Sequence, residues 1–518
     1  MTVQDIVRRT YGGWHKPTTP GILPRLGTIG SALAIGVLIV GIMLEAFAGW
    51  KVALVWLVAA EGAVVVPLLY RDRAGRNGWQ LVGTKAAWLQ GRHARQHVFI
   101  GPRQGVVAFG ATTLPGLLAE SRLVEGEDGR GDPFALVHVR KSSHYTVLIS
   151  TQPDGSALVD EETVDEWVAR HGVFLSALAH EPGLEGASAT VETAPDPGNR
   201  LVAEVTRLTP EGTPDLTKRI LAQKAATFPR GAASITGHIA LTYTAKRPKV
   251  DEREPFAARG GDKAPRGVRS DGEMVAHIGQ RLPGMLRLLN GAGIGEPKPM
   301  TARQVAEMVR IAYDPGSAAD IDGDRSRSAE GEVDWTNAGP VGAHETWSAY
   351  RTNASEHITW EMTEAPTGEV YSRVLEDIIA PTDAVARKRV TILYRPHDPA
   401  SSAAIADRDV RTAHTRATMR KGERRAHDDI LLAMARKTAQ EEAGGAGLVR
   451  FSILITATVV EPGKLAEAAE TVTALARASR LRIRRCYGAQ AAAFTGALGV
   501  GIIPSAHIAV PEVAKEWL

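Results

Sequence analysis

Residues Leu26–Leu44 read LGTIGSALAIGVLIVGIML, and Val52–Tyr70 read VALVWLVAAEGAVVVPLLY. The first is 19 residues without a charge. As a helix it extends roughly 28 Å, close to the ~30 Å of a bilayer's hydrocarbon core. The second is interrupted by one acid, Glu61. The joining segment, Glu45–Lys51, is short enough to force an antiparallel pair. The sequence therefore predicts a hairpin of two transmembrane helices. Arg8, Arg9, Lys16 and Arg25 precede it, Arg71, Arg73, Arg76 and Lys85 follow it, and the loop carries only Lys51. Bases flanking a span favour the cytoplasmic side, which puts both termini and the bulk of the chain in the cytoplasm of a multi-pass plasma-membrane protein. Ala46-Phe47-Ala48 resembles a signal-cleavage site. The apolar run before it, however, is longer and later than that of a cleaved signal, and a second apolar segment follows.

A carboxylate such as Glu61 in mid-helix costs about 3 kcal/mol on insertion scales. Three readings stand: an ion-coupling group, a neutral acid within the helix pair, and a contact with another membrane subunit. A lone acid in a two-helix hairpin is thin support for transport, and the subunit contact is the reading taken.

Beyond the hairpin, 518 residues with 23% charged and 44% hydrophobic side chains are enough for two or three domains with buried cores. The formal charge of +3 excludes a generally nucleic-acid-coating surface. A single cysteine, Cys486, excludes an internal disulfide and a Cys-rich zinc site. Flanking Arg484 and Arg485 could activate that thiol, although its strand-like setting suits a packed one.

Periodicity divides the remainder. Trp79–Val107 reads as small β structure or connector. Strands are expected within Phe134–Ser150, at Ala187–Thr193, Ile235–Thr244, Arg389–Tyr394, Phe451–Val460 and Leu481–Tyr487. Helices are expected at Val164–Ala179, Leu216–Ala226, Met274–Leu289, Thr301–Tyr313, Ala400–Glu442 and Leu465–Ser479, with Thr301 as an N-cap. Lys246–Asp271 and Asp320–Gly342 read as polar loops. The order strand, turn, helix, strand occurs over Tyr145–Val191 and again over Phe451–Arg485, as ferredoxin-like packing requires. The expected fold class is α+β, a transmembrane hairpin followed by ferredoxin-like units. Its expected divisions are the hairpin at 1–75, a first α+β domain at 76–245, a flexible loop at 246–272 and a second α+β domain at 273–518.

Motifs that carry chemistry are few. Gly291-Ala292-Gly293-Ile294-Gly295 lacks the Lys-Ser/Thr of a phosphate-binding loop and reads as a turn. Asp320, Asp322 and Asp324 alternate as in a calcium loop, but Arg325 replaces the required glycine and Gly331 the terminal glutamate. His93 and His97 are four apart with no acidic or thiol partner nearby. No catalytic, cofactor-binding or metal residue is therefore assigned, and the chain is expected not to be an enzyme. The strongest charge feature is Arg408–Arg425, where Arg416, Arg420 and Arg424 recur every four residues on one helical face. That face reads as solvated, as docking an acidic subunit, or as meeting nucleic-acid or lipid phosphates. The stretch has no aromatic residue for base stacking.

Tyr11-Gly12-Gly13-Trp14, LPGLLA at Leu114–Ala119, YTVLI at Tyr145–Ile149, TVETAPDPG at Thr190–Gly198 and Gly488-Ala489-Gln490 give the chain a family resemblance. It resembles actinobacterial two-helix membrane proteins that look like EccE of type VII secretion, or like PrgI-type and ATPase N-terminal parts of conjugative type IV secretion. The resemblance implies a structural membrane subunit of a secretion or DNA-transfer apparatus without its own ATPase motif. It also implies an oligomer with other membrane subunits; because the chain carries no energy source of its own, the basic face of Arg416, Arg420 and Arg424 is expected to dock a separate ATPase, with nucleic acid as the alternative partner. The alternatives are a diverged ATPase or nuclease, and a small transporter using Glu61.

Overall fold

The computed structural model describes residues 11, 12, 14, 27–60, 63, 66–70, 72, 76–101, 113–153, 155, 159–195, 205–210, 212–227, 233–247, 267–326, 333–353, 355–366, 370–382, 384–419, 426–461 and 463–507. The N-terminal apolar sequence forms α1 (Gly27–Ala48), α2 (Trp50–Ala60) and α3 (Val66–Leu69), with α1 and α2 packed on each other. Among the described residues, no helix is long and apolar enough to cross a membrane. The expected span Val52–Tyr70 is represented by α2, of 11 residues, and α3, of 4. Eleven residues rise about 16 Å, roughly half a hydrocarbon core. A chain that returns to its starting side needs two crossings. The two-helix transmembrane hairpin, the multi-pass plasma-membrane location and the placing of both termini in the cytoplasm are overturned on this ground. Glu61 lies outside the described residues.

Trp79–Val107, expected as β structure or connector, begins as helix α4 (Gly78–His93) and continues into a short strand β1 (Val98–Ile100). The reason is local: Asn77 and Gln80 form a reciprocal capping box that nucleates the helix.

The body is an α+β structure on one antiparallel sheet. Its first half contains β2 (Ser121–Glu127), β3 (Pro133–Val139), β4 (His144–Thr151), α5 (Glu161–Leu178), β5 (Leu184–Pro195), α6 (Asp215–Thr227), β6 (Ala233–Thr244), α7 (Asp271–Leu289), β7 (Lys298–Pro299), α8 (Ala302–Tyr313) and α9 (Ser317–Ser326). Its second half contains β8 (Gly342–Glu345), β9 (Tyr350–Thr352), β10 (Ser355–Glu364), α10 (Glu376–Ile379), β11 (Arg387–Pro396), α11 (Pro399–Met419), α12 (Ala426–Ala443), β12 (Val449–Val459), α13 (Leu465–Ala478), β13 (Arg482–Arg485) and α14 (Gln490–Ala497). The strand order is β1-β8-β9-β10-β12-β11-β5-β6-β4-β3-β2, with β13 on β10 and β7 on β4.

That order is a palindrome about the β5–β11 pair. Strands β4, β5, β6 and β7 lie in the order β7-β4-β6-β5, and β10, β11, β12 and β13 lie in the order β13-β10-β12-β11. Each set is a βαββαβ unit in the ferredoxin-like arrangement. Each is preceded by a two-strand meander (β2-β3 or β8-β9) and followed by a helix (α8 or α14). The internal repeat therefore pairs Tyr145–Val191 with β10-α10-β11, and Phe451–Arg485 with β6-α7-β7. The two stretches similar in sequence order are opposite halves of a unit, because every βαβ half has the same order of elements. The sheet runs unbroken across the expected division at 246–272, and α7 and β7 complete the first unit.

Alternation along the strands sorts the faces. On one face Tyr145, Val147, Ile149, Ile239, Leu241 and Tyr243 pack under Phe174 and Leu178 of α5 and Met274, Ile278 and Leu282 of α7. The second unit repeats this with Ile358, Trp360, Ile453, Ile455 and Ala457 under Ala468, Val472 and Ala476 of α13. On the opposite face α8 and the C-terminal residues 494–502 cover the sheet, through Val305, Val309, Tyr313, Phe494, Leu498, Val500 and Ile502. Capping boxes at Ser270/Glu273 and Thr301/Gln304 set the starts of α7 and α8, the latter at the expected N-cap. Asp320, Asp322 and Asp324 sit in helix α9 rather than in a loop, held through Arg325, which reaches back to the buried Glu307.

Gly291, Gly293 and Gly295 have φ of 77°, 72° and 69° and turn the chain from α7 into β7. Gly499 and Gly501, at φ 67° and 88°, let the C-terminal strap lie flat on the sheet. A Cβ on Gly501 would overlap Thr146, and one on Gly499 would overlap Thr190 and His238. Gly501→Ala is expected to cost about 1–3 kcal/mol through backbone strain and overlap. Gly83→Ala, in α4 with open space around it, is expected to be neutral or to stabilise by about 0.5–1 kcal/mol. Urea unfolding midpoints compare the two; equal midpoints would contradict the packing of the strap.

Candidate functional site

Three polar constellations are dense enough to be examined as chemistry. The first is the strap-covered face at the junction of the units. Thr190 on β5 and Thr391 on β11 are opposed and hydrogen-bonded through their hydroxyls at 3.1 Å. Two register positions away, on the same face, Glu192 is opposite Arg389, and its carboxylate forms ion pairs with both Arg387 and Arg389. Burial alone would raise the Glu192 carboxyl, but Arg389 and Arg387 outweigh it and hold it down at about 2. His238, on β6 opposite Thr190, makes a 3.0 Å bond to the carbonyl of Leu498 in the strap. Burial and Arg389 push it down to about 4, so the ring is neutral at pH 7. Thr391 donates to the Ala497 carbonyl at 2.6 Å. These groups are closed on one another, and a buried ion pair of this kind is a register device rather than a reactive centre.

The second constellation surrounds His357. Its Nε2 lies 2.9 Å from Thr352 Oγ1 and 3.1 Å from Ser355 Oγ, and its Nδ1 lies 2.9 Å from Thr458 Oγ1. The spacing is that of a nucleophile and base. The ring, however, has no exposure and lies beneath Phe494, with centroids 4.5 Å apart. Burial and Arg389 push it down to about 3. A third hydroxyl, not a carboxylate, takes the far nitrogen, so nothing stabilises an imidazolium.

The third lies where β3 and β4 meet the start of α7. Arg122 Nε donates to His138 Nδ1 at 3.2 Å, and its Nη2 to Asp271 Oδ2 at 2.6 Å. Tyr145 donates to Asp271 Oδ1 at 2.6 Å, and its ring stacks on His138 at 4.0 Å. A groove of about 1100 Å³ adjoins Arg122, along the open edge of β2. Asp271 is thus taken up by Arg122 and Tyr145. His138 Nδ1 accepts a bond, and its pKa is lowered by burial and by Arg122.

The sequence-predicted site residues fare unevenly. Arg416 is in α11 with its side chain outside the described residues, and Arg420, Arg424 and Glu61 are outside them altogether. Cys486 is a packed thiol: burial and then Glu361 push its pKa up against Arg484. His93 ends α4, whereas His97 lies beyond the helix and meets the ring of His344, 5.4 Å between centroids. No group of three potential metal ligands occurs among the described residues.

The motifs behind the family resemblance are packing elements. Tyr11 forms a two-way backbone bridge with Val370 and donates from its hydroxyl to Asp165 at 3.1 Å; Trp14 meets Phe451 edge-on. Leu114 and Leu118 are fully buried. The side chain of Gln490 binds both backbone groups of Thr359 and the carbonyl of Cys486. Sequence reasoning missed Glu192, Arg387, Arg389 and His357; Glu192 and Arg389 could have been noticed as charged residues within expected strands, whereas Arg387 and His357 lie outside every expected strand.

A family model described as Domain of unknown function (DUF8461) matches residues 18–80, the stretch that holds α1, α2, α3 and the first turn of α4. No curated protein matches the chain. The match carries no assigned activity and leaves the body unmatched. The resemblance to type VII and conjugative secretion components is corrected accordingly. The membrane-subunit reading and the Glu61 transporter alternative both required a membrane span, which no described helix provides.

The buried histidines set an acid response. His144, near 4 through burial, His507 and Lys246, joins His238 and His357. Below the ordinary value of 6.5 the unfolded chain binds protons that the folded one refuses, so stability is full above pH 6.5 and falls from there toward pH 4. Glu192 adds a second window, its contribution present above pH 4.5 and lost as pH falls through 2. Thermal unfolding followed from pH 7.5 to 4 is expected to show a falling Tm, with a shallower slope in His357→Gln. A flat profile would contradict the burial of these rings.

Proposed function

We propose that the chain is a non-catalytic assembly subunit, a double-unit platform that joins copies of itself through the α1–α2 hairpin. One observation carries the reading: among the described side chains, twelve large apolar ones between Ile35 and Trp56 are exposed, including Leu38, Ile39, Ile42, Met43, Phe47, Trp50, Leu54 and Val55. Contiguous apolar surface of this kind marks an interaction site, since monomers rarely carry it uncovered. The platform supports the reading in a second way. Its sheet is covered on both faces, and the three polar constellations are engaged internally, which leaves the projecting elements for recognition. The α1–α2 faces of neighbouring copies suit one another because both are predominantly apolar, and the charged residues of the two helices, Glu45 of α1 and Lys51 of α2, are opposite in sign.

Sedimentation of the purified full chain tests this. The wild type is expected to sediment as an oligomer, well above the 55.3 kDa of one chain. A variant with Leu38, Ile42, Leu54 and Val55 all replaced by Gln is expected to dissociate, with the circular dichroism of the body unchanged. Identical monomeric sedimentation of both proteins would refute the proposal.

A further inference from the structure

Helix α4 has two faces of different character. Leu81, Thr84, Trp88 and Gly91 are half-buried, spaced three and four apart, and form the side turned to the body. Trp88 fixes that side, meeting Trp347 edge-on with ring centroids 5.4 Å apart. The start of α4 is held by α3, whose Pro67 lies so close to Gly78 that a Cβ there would overlap its backbone. The far end runs into β1, which pairs with β8. The rotation of α4 about its own axis is therefore set. Nearly opposite the body side, Trp79, Val82, Ala86 and Leu89 are exposed, the three large ones by 47%, 56% and 59%. Their spacing of three, four and three is that of the a and d positions of two heptads. Among the described residues of α4 none is fully buried. Gly78, Gly83 and Gly91 also make it a poor helix in isolation, so packing of its apolar sides must supply its stability.

We propose that α4 pairs with α4 of a second copy in a short parallel two-helix seam, with Trp79, Val82, Ala86 and Leu89 along its centre. The inference rests on the assembly reading and deepens it, giving the hairpin contact a two-fold geometry. Heptad spacing fits the stripe to another helix. A second copy supplies that helix, because a two-fold axis matches each a and d position with itself. Hairpins that join two copies also bring their α4 helices together, since only residues 61–77 separate α2 from α4. The flanking residues choose the direction. In a parallel seam Lys85 lies across from Gln90 of the other copy, an amine facing an amide that can accept its hydrogen bond. In an antiparallel seam Lys85 meets Lys85 of the other copy, and α4 contains no acidic residue to relieve the repulsion. Two heptads are fewer than the roughly three to four that mark a self-sufficient coiled coil, so the seam orients copies that the hairpin holds.

Disulfide trapping in the purified full chain tests the seam. Cys486, the single cysteine, is packed, so the wild type serves as the blank. Under mild oxidation Leu89→Cys is expected to give a reducible band at twice the 55.3 kDa of one chain. A parallel seam sets position 89 beside its own mate, within the Cα separation of about 4.4–6.8 Å that a disulfide spans. Ala87→Cys, exposed on the flank of α4 away from the stripe, is expected to stay at the mass of one chain. In sedimentation, Val82→Glu with Leu89→Glu is expected to raise the concentration at which the oligomer dissociates by about tenfold or more, with circular dichroism unchanged. A monomeric wild type would defeat the assembly reading and the seam with it. An oligomeric wild type in which Leu89→Cys traps no better than Ala87→Cys would overturn the seam alone. Trapping only between Leu89→Cys and Trp79→Cys would overturn it too, because an antiparallel pair holds position 89 about 15 Å from its mate.

Discussion

Everything in the body depends on the join between β5 and β11. Each ferredoxin-like unit ends in an open strand edge, and an open edge exposes a row of unpaired backbone groups. Here the two edges satisfy each other over the register Lys388–Thr193 to Tyr394–Ala187. Pairing by backbone alone could slip. The Glu192 carboxylate between Arg387 and Arg389, with Thr190 against Thr391, favours this register: a two-residue slip one way sets the buried carboxylate against Thr391, and a slip the other way sets Thr190 against Arg389 and breaks the hydroxyl pair. The C-terminal strap then seals that polar face, with Ala497 and Leu498 carbonyls taking bonds from Thr391 and His238.

The join explains the division of labour in the molecule. Groups that would suggest catalysis, namely the Glu192 ion pairs, His238 and the His357 hydroxyl cluster, are consumed in fixing the two units and their cover. What the body presents outward comes from insertions and extensions: the hairpin before α4, the arm between β11 and β12, and the edge of β2. In the first unit the connection equivalent to the arm contains the shorter α6. The two units thus differ most where the chain leaves the sheet.

The α+β character and most body elements were legible because alternation and helical periodicity are local signals. Tyr145–Ile149 alternates, Val164–Ala179 repeats on one helical face, and Thr301 with Gln304 announces a helix start. The arm was visible as one long charged helical stretch but not as two helices, since the sequence between Met419 and Ala426 has no proline or paired glycines. Trp79 onward misled because its apolar residues are sparse and the Asn77–Gln80 box, a three-residue signal, decides the matter. The hairpin was read from hydropathy, which registers composition and not where a helix stops. The join could not be read at all: Glu192 and Arg389 are 197 positions apart, and nothing in either strand names the other. The repeat was half legible, because strand-turn-helix-strand order is common to both halves of every unit.

The central claim is that the two units form one cooperative sheet through β5 and β11. Native-state hydrogen exchange of the full chain tests it directly. The account predicts that amides of Thr190–Thr193 and Lys388–Thr391 exchange only through global unfolding, with the same opening free energy as Val147 and Ile455 in the two unit cores. If the β5 and β11 amides instead open at much lower free energy, while each core remains protected with its own separate value, the units are independent domains and the account is wrong.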